Sequence, residues 1–139
     1  MILLDTNVLS ALMQPVPEPL VVACLDRQSE YEIWTSSVNV FEVEFGLSLM
    51  PTGKRRSHLE TALAGLLIED LLGRIVDFDL RAATEAGKLM ATRKLTGRDY
   101  APLDAMIAGI ALTRRAMIAT RNVKHFDDVS VSVVNPWQA

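Results

Sequence analysis

Cysteine and histidine are nearly absent from this chain. One cysteine, Cys24, among 139 residues excludes an intramolecular disulfide, and two histidines give no Cys/His spacing that predicts a zinc site. Cys24 lies in the helical-looking run PLVVACLDR, which predicts a small buried side chain. The chain also offers no recognisable Ser–His pair and no activated cysteine, so we do not expect a covalent mechanism built on either.

Long hydrophobic runs and an excess of positive charge are absent as well. No apolar run approaches the roughly 18 residues that suggest a membrane span, and the first residues lack the basic segment of a signal peptide. We therefore expect a cytoplasmic protein that does not contact a membrane. The formal net charge of −3 argues against binding nucleic acid through bulk charge. It still allows a nucleic-acid enzyme whose site holds cations.

Apolar side chains, by contrast, make up 50% of the residues and indicate a globular protein. A chain of 139 residues is near the usual size of one domain, and folding would bury roughly two-thirds of its surface. We therefore predict a single domain over residues 1–139 that needs neither disulfides nor a structural metal.

Short apolar runs alternate with longer helical segments along the chain. This alternation predicts an α/β fold of three layers, with a short parallel sheet of about four to five strands flanked by helices. The predicted strands are ILL, YEIWTSS, RIVDF, AMIAT and VSVSVV. The helix-boundary signals are Pro19 and Pro102 in first turns, Ser36 or Ser37 and Asp79 as caps, a capping box over Ser57–Glu60 and Gly97 after a helix.

Polar side chains directly follow two of the predicted strands. Asp5 comes after ILL, and Thr120 and Asn122 come after MIA. Ligands of open parallel sheets bind at the carboxyl ends of the strands, so these residues stand where the fold places its site. A charge beside a core strand needs compensation. The structural alternative for Asp5 is a cap on the helix NVLSALM.

Glu42 lies in a predicted helix that begins near Ser37. It borders an apolar stripe that we expect to be packed, formed by Val38, Phe41, Phe45 and Leu49. A carboxylate on the packed side of a helix needs a partner. No lysine or arginine occurs between Arg27 and Lys54, so the structural alternative for Glu42 is an ion pair with a distant arginine.

Asp104 is the third acid, in the helix PLDAMIAGIAL. An acid near a helix start is favoured by the helix dipole, so capping competes with a functional role. Its helical neighbours Ala108 and Ala111 are small and leave room for a ligand. If Asp5, Glu42 and Asp104 share one sheet edge, their mutual repulsion predicts a hard divalent cation with oxygen ligands, Mg²⁺ or Mn²⁺.

Five motifs together resemble the PIN domain, specifically VapC-type toxin ribonucleases of the FitB-like branch. The motifs are LLDTNVL, SSVNVFEVEFGL, PLDAMIAGIAL, IATRNVKHF and VNPW, in this order along the whole chain. The resemblance implies metal-dependent endonucleolytic cleavage of RNA by a toxin of a toxin–antitoxin system. It also implies a homodimer and a VapB-type antitoxin, through which alone the toxin would reach operator DNA.

The resemblance also implies roles for individual residues. Asp5, Glu42 and Asp104 would bind the metal, while Thr6, Asn7 and Thr120 would orient these acids or a bound water. Asn122 stands where the family commonly has a fourth acid, which puts a second metal ion in doubt. Asp127 or Asp128 could replace that acid, although the run HFDDV also fits a solvated turn.

Basic residues near the predicted site are candidates for binding the substrate. Arg121 and Lys124 flank Asn122, whereas the run Lys54–Arg56 is a loop cluster that fits ordinary solvated surface. His125 fits either an RNA contact or a plain surface position. Trp34 and Trp137 could stack on bases, although packing in the core or a dimer also accounts for them.

Two other functions are compatible with these motifs. A phosphatase could use Asp5 as its nucleophile, but haloacid dehalogenase-type enzymes need an Asp where this chain has Asn7. A PIN-like module that binds RNA without cleaving it is the second alternative, because Asn122 brings no charge.

Overall fold

The computed structural model describes residues 1–139, with five strands in one sheet. The strands are β1 (Ile2–Leu4), β2 (Ile33–Ser36), β3 (Ile75–Val76), β4 (Met117–Ala119) and β5 (Val133–Val134). Their spatial order is β3-β2-β1-β4-β5, and every neighbouring pair is parallel. The predicted parallel sheet of four to five strands is confirmed, and the strand that precedes Asp5 is its central one.

Both faces of the sheet are covered by helices. Ile2 and Leu4 of β1 pack into one hydrophobic core, while Leu3 packs into the other. Successive side chains of a strand point to opposite faces, so a strand buried on both sides reads as an unbroken apolar run. The layered α/β arrangement predicted from the sequence is therefore confirmed.

Six α-helices surround the sheet. They are α1 (Thr6–Leu12), α2 (Pro19–Asp26), α3 (Ser37–Leu49), α4 (Lys54–Gly65), α5 (Leu80–Leu95) and α6 (Pro102–Arg114). Several boundary signals are confirmed: Pro19 and Pro102 begin their helices, Ser36 and Asp79 cap theirs, and Gly97 follows the end of α5 with a positive φ. No helix is long and apolar enough to cross a membrane.

Helix α6 approaches α5 very closely at Gly109. A Cβ atom built on Gly109 would lie 2.4 Å from the carbonyl oxygen of Ala82 and 3.0 Å from the backbone nitrogen of Ala86. Only glycine allows two helix backbones to come this near. The contact fixes α6, and with it Asp104 in its first turn, against the rest of the fold.

The predicted start of α4 was wrong. The helix begins at Lys54, and Ser57 already donates its backbone N–H to the carbonyl of Gly53 at 3.0 Å. The run Lys54–Arg56 is therefore a first helical turn instead of a loop, because lysine and arginine are good helix formers and no breaker follows Gly53.

The predicted packed stripe on α3 was also wrong. Phe41, Phe45 and Leu49 are 58%, 60% and 69% exposed. The buried face of α3 instead holds Val38, Asn39, Val43 and Leu47. Because α3 is apolar on two sides, periodicity alone did not decide which side faces the core, and a polar side chain, Asn39, occupies part of the buried one.

Candidate metal centre at the carboxyl edge of the sheet

The carboxyl ends of β1 and β4 meet at the centre of the sheet. Asp5 follows β1 directly and donates its backbone N–H to the carbonyl of Ala119, the last residue of β4, at 3.0 Å. Thr120, the next residue, therefore lies beside Asp5. The sequence placed these two residues at one edge, and the structure brings them into contact.

The Asp5 carboxylate is buried and held by neutral donors. Its Oδ1 accepts from the Thr6 backbone N–H at 2.8 Å and from Asn39 Nδ2 at 3.2 Å, and its Oδ2 accepts from Thr120 Oγ1 at 2.7 Å. Asp5 is also the N-cap of α1, as the structural alternative predicted. These hydrogen bonds give a buried carboxylate part of the compensation it needs without neutralising its charge.

Glu42 reaches the same place from α3. Its Oε1 accepts from Thr6 Oγ1 at 2.9 Å, and it forms no ion pair, so the alternative of a distant arginine partner is excluded. Burial raises the pKa of the Glu42 carboxyl above its ordinary value, and the charges of Asp5 and Asp104 raise it further against the lowering effect of Thr6.

Asn39 connects these acids and was missed by the sequence analysis. It is fully buried, donates from Nδ2 to both Asp5 Oδ1 and Thr6 Oγ1, and accepts at Oδ1 from the hydroxyl of Ser36. Its spacing offered a signal: Asn39 lies three residues after the cap Ser36 and three before Glu42, on the same helix face. A buried amide satisfied on both ends fixes the rotamers of its neighbours.

Asp104 lies in the first turn of α6 but does not cap it. The N-cap position belongs to Ala101, and Asp104 Oδ2 instead accepts from His125 Nδ1 at 2.9 Å. Burial raises the pKa of Asp104, and the charge of Asp5 raises it again, while His125 and Arg93 act in the opposite direction. Helix capping therefore does not explain this acid.

The charge of Asp5 raises the pKa of both Glu42 and Asp104, so the three carboxyl groups lie near one another. No three Asp, Glu, His or Cys side chains, however, lie close enough together to bind one ion directly. Mg²⁺ commonly takes one or two carboxylates and keeps several waters. The all-oxygen donors Asp5, Glu42 and Asp104 suit such an ion, and they do not suit zinc, which favours sulfur and imidazole nitrogen.

Asn7 and Asn122 form hydrogen bonds to the Thr120 hydroxyl group. Asn7 donates from Nδ2 to Thr120 Oγ1 at 3.2 Å and accepts the Arg121 backbone N–H at its Oδ1 at 3.1 Å. The Asn122 backbone N–H also donates to Thr120 Oγ1, at 3.0 Å, whereas its side chain is exposed and makes no hydrogen bond within the protein. Thr120 thereby has the geometry to orient Asp5.

The two basic candidates differ in how they are held. The Arg121 guanidinium lies over the Trp137 ring, 4.9 Å from its centroid, which is a cation–π contact. Trp137 itself packs against the hydrophobic core, while Trp34 donates its indole N–H to the carbonyl of Tyr31. Lys124 is exposed and forms no ion pair, so its charge is free for another contact.

Asp127 and Asp128 have partners away from the three acids. Arg98 lies 2.8 Å from Asp127, and Asp128 receives two hydrogen bonds of 2.9 Å from the buried guanidinium of Arg93. The same guanidinium donates to the carbonyl of His125 at 2.9 Å. These two acids stabilise the segment that carries Lys124 and His125.

Comparisons with known proteins agree with this geometry. The PIN domain family profile matches residues 2–131. The chain is 38% identical to the VapC ribonuclease Y4jK of Sinorhizobium fredii and 34% identical to Toxin FitB of Neisseria gonorrhoeae, in each case across 99% of both proteins. A solved structure of FitAB bound to a DNA fragment is similar with a TM-score of 0.85 and 34% identity, covering 99% of this chain and 96% of that one. The resemblance found in the motifs is confirmed, and the chain belongs to the PIN-domain family, in the group of VapC- and FitB-type proteins.

Proposed function

We propose that this protein is the toxin of a toxin–antitoxin system and acts as an endoribonuclease that hydrolyses RNA phosphodiester bonds with Mg²⁺ or Mn²⁺. PIN-domain nucleases generally depend on divalent metal ions. The observation that carries the proposal is the convergence of Asp5, Glu42 and Asp104 at one sheet edge, where no lysine or arginine pairs with them and two of the carboxyl pKa values are raised.

Each residue then has a specific task. Asp5, Glu42 and Asp104 would hold the ion in part through its bound waters, because no three such side chains lie close enough together to bind it directly. When bound, the ion would make water more acidic and neutralise negative charge that develops at the phosphate. Thr6, Asn39 and Thr120 keep the carboxylates oriented through the hydrogen bonds described above. Glu42, whose pKa burial raises above its ordinary value, is the carboxylate that we assign to accept the proton of the attacking water.

The segment after β4 would contact the RNA. Arg121, backed by Trp137, presents its charge in a fixed orientation, and Lys124 adds a second free cation. Asn7 holds the backbone of this segment, and Asn122 presents an exposed amide beside it. We assign Arg121 and Lys124 to binding phosphate or base groups, and Asn122 to the position of the family's fourth acid without its charge.

The partners that we propose follow from the relationship of this chain to VapC- and FitB-type proteins. We propose a VapB-type antitoxin as the protein partner, contact with operator DNA only through that antitoxin, and the cytoplasm as the compartment where the RNA is met. We also propose a homodimer of single-domain chains over residues 1–139. The exposed apolar side chains Phe41, Phe45 and Leu49 on α3 support such contacts, because contiguous apolar surface of this kind marks protein interfaces.

The two competing functions are less well supported. A phosphatase would need Asp5 as an accessible nucleophile, but Asp5 is 5% exposed and both of its oxygens accept hydrogen bonds. An RNA-binding module without cleavage would not require two carboxyl groups with raised pKa values beside a third acid. A covalent phosphate on Asp5 would support the first, and tight RNA binding without cleavage the second.

The test compares two glutamates of one helix. Total RNA is incubated with the purified protein and Mg²⁺, with EDTA as the metal-free control, and cleavage is followed for Glu42→Gln and Glu44→Gln. Glu44 is exposed and points away from the site. We expect Glu42→Gln to reduce the rate at least as much as loss of an outer partner of a metal ligand does, about 10–100-fold, with Glu44→Gln unchanged. Equal activity of both variants in Mg²⁺ would refute the proposal.

A growth test addresses the toxin label separately. Overproduction should stop growth, and co-expression of a small antitoxin should restore it. Normal growth with active protein would refute the toxin role but not the nuclease.

A further inference from the structure

A cavity of about 260 Å³ has Asp104 in its wall, whereas Asp5 and Glu42 do not line it. Its walls include the charged or polar side chains of Arg93, Arg98, Asp99, Asp104, Lys124 and His125. Only Asp104 is shared with the proposed metal centre. Because this carboxylate belongs to both, the cavity adjoins the place where we propose that the metal ion meets the scissile phosphate.

The buried guanidinium of Arg93 connects two walls of the cavity. Arg93 donates to the carbonyl of His125 on one wall at 2.9 Å and to the carbonyl of Tyr100 on the other at 3.5 Å. On the second wall, Asp99 Oδ1 accepts the backbone N–H of Ala101, whose φ of +38° is rare for a residue with a side chain. Both walls are therefore fixed before any ligand binds.

Several polar groups of the cavity have unused hydrogen-bonding capacity. Lys124 forms no ion pair, and only one carboxylate oxygen of Asp99 has a partner. The Nη1 group of Arg93 makes only the long contact to Tyr100, although the side chain is 2% exposed. The site thus offers one free acceptor group and two donor groups.

The mixed charge of these groups indicates which part of a nucleotide fits. Arg93 and Arg98 are already paired with Asp128 and Asp127, so the charged groups left for a ligand are Lys124 and Asp99. One cation and one carboxylate favour a neutral group that presents both donors and acceptors. Guanine has adjacent N1–H and N2–H donors that suit a carboxylate, together with O6 and N7 acceptors that suit a cation. Proteins read unstacked RNA bases through these same edges.

We propose that this cavity binds the guanine base of the nucleotide next to the scissile phosphate, with Asp99 accepting from N1 and N2 and Lys124 donating to O6 or N7. The inference rests on the proposed ribonuclease function and adds a base preference to it. Asp99 and Lys124 are then specificity-determining residues that touch the substrate without touching the reacting phosphate.

The experiment maps cleavage sites by sequencing the ends of total RNA cut by wild-type protein and by Asp99→Asn in Mg²⁺. We expect guanine at one fixed position beside the cut, and a fall of about tenfold in cleavage at guanine sites for Asp99→Asn, with other sites changed less than about twofold. Asp77→Asn, an exposed acid outside the cavity, is the matched control and should keep the wild-type pattern.

A chemical probe avoids dependence on one variant. An RNA carrying a mapped site is made with inosine in place of that guanosine, which removes only the N2 amino group. The wild-type rate should fall several-fold and the Asp99→Asn rate should not fall further, since the contact is already lost. Lys124→Ala, compared with Lys88→Ala, should weaken the same preference.

The inference would be overturned by the absence of any base preference beside the cut, by a preference for another base, or by a guanine preference that Asp99→Asn retains. A uniform loss of cleavage at all sites in Asp99→Asn would also overturn it, because that pattern indicates structural damage. Absence of any wild-type cleavage would instead refute the proposed function on which it rests.

Discussion

Acidic side chains in two regions of this protein have opposite environments. Asp128 receives two hydrogen bonds from the buried Arg93, which lower its pKa below the ordinary value, and the charge of Arg98 acts in the same direction. Glu42 and Asp104 have no lysine or arginine partner, and burial raises the pKa of each. The ionised form of a carboxyl group is thus stabilised in the first region and destabilised in the second.

The first environment stabilises the fold, whereas the second is suited to a functional site. The Arg93–Asp128 pair connects α5 to the segment after β4 and stabilises it. The carboxyl edge does the reverse, because it concentrates acidic groups in a partly buried place where no lysine or arginine pairs with them. Such unfavourable concentration of charge is typical of functional sites.

Removal of the buried cation should have the largest effect on stability. We expect Arg93→Met to lower the free energy of unfolding by about 3 kcal/mol, the lower end of the range for breaking a buried ion pair, since Asp128 is still 26% exposed to water. Urea unfolding measures this change, with the exposed Arg81→Met on the same helix as control. Equal stabilities of the two variants would mean that the pair contributes nothing.

Addition of metal should act on the acidic edge alone. A ligand present at 100 times its Kd stabilises the native state by about 2.7 kcal/mol, so saturating Mg²⁺ should raise the Tm of the wild type by several degrees. Asp104→Asn should lose this response because a metal-binding carboxylate is gone, whereas Asp128→Asn should keep it. Thermal unfolding with and without Mg²⁺ measures the rise in Tm. If Asp104→Asn keeps this rise, the ion binds somewhere other than at Asp104.

The sheet and the three acids at its edge could be predicted from the sequence. Asp5 is predicted because it follows a strand, and Glu42 because it lies on a helix without a nearby cation. Asp104 is predicted because it lies near a helix start beside small residues. The five-stranded parallel sheet followed from the alternation of short apolar runs with helices. These features depend on local pattern and on rules of topology that hold for many chains.

The rest depends on long-range packing that local pattern does not reveal. Asn39 is central to the site, but its role follows from the rotation of α3 about its axis, which the two apolar sides of that helix left ambiguous. The Arg93–Asp128 pair joins residues 35 positions apart, and nothing in their surroundings along the sequence marks them as partners. For the same reason the packed stripe was assigned to the wrong face of α3.

Acid should reveal the paired region. Because the folded pKa of Asp128 lies below its unfolded value, the stability from this group is fully present above the unfolded pKa, near 3.9, and is lost as pH falls through the lower folded value. Asp128→Asn should therefore be less stable than wild type at pH 6 by about 1 kcal/mol, the effect of a charged hydrogen bond reduced by exposure. The two proteins should converge in stability as pH falls through the folded pKa of Asp128, and a difference that stays constant with falling pH would contradict the assignment.

The smallest effect should be a gain of stability at the acidic edge. The pKa of the Glu42 carboxyl group is raised in the folded protein, so its charge destabilises the metal-free fold at pH 7. Glu42→Gln removes this charge, while the Oε1 atom of glutamine can still accept the hydrogen bond from Thr6. We expect a Tm increase of about 1–2 °C, reduced by the partial exposure of the side chain. As pH rises, the Glu42 carboxyl group ionises in the unfolded wild type before it ionises in the folded protein. The Tm of Glu42→Gln should therefore exceed that of the wild type above the unfolded pKa of this carboxyl group, and the two should be equal below it. Calorimetry in EDTA, with Glu44→Gln as an unchanged control, measures it. A lower Tm for Glu42→Gln would mean that the charge of Glu42 stabilises the fold, and the contrast between the two regions would fail.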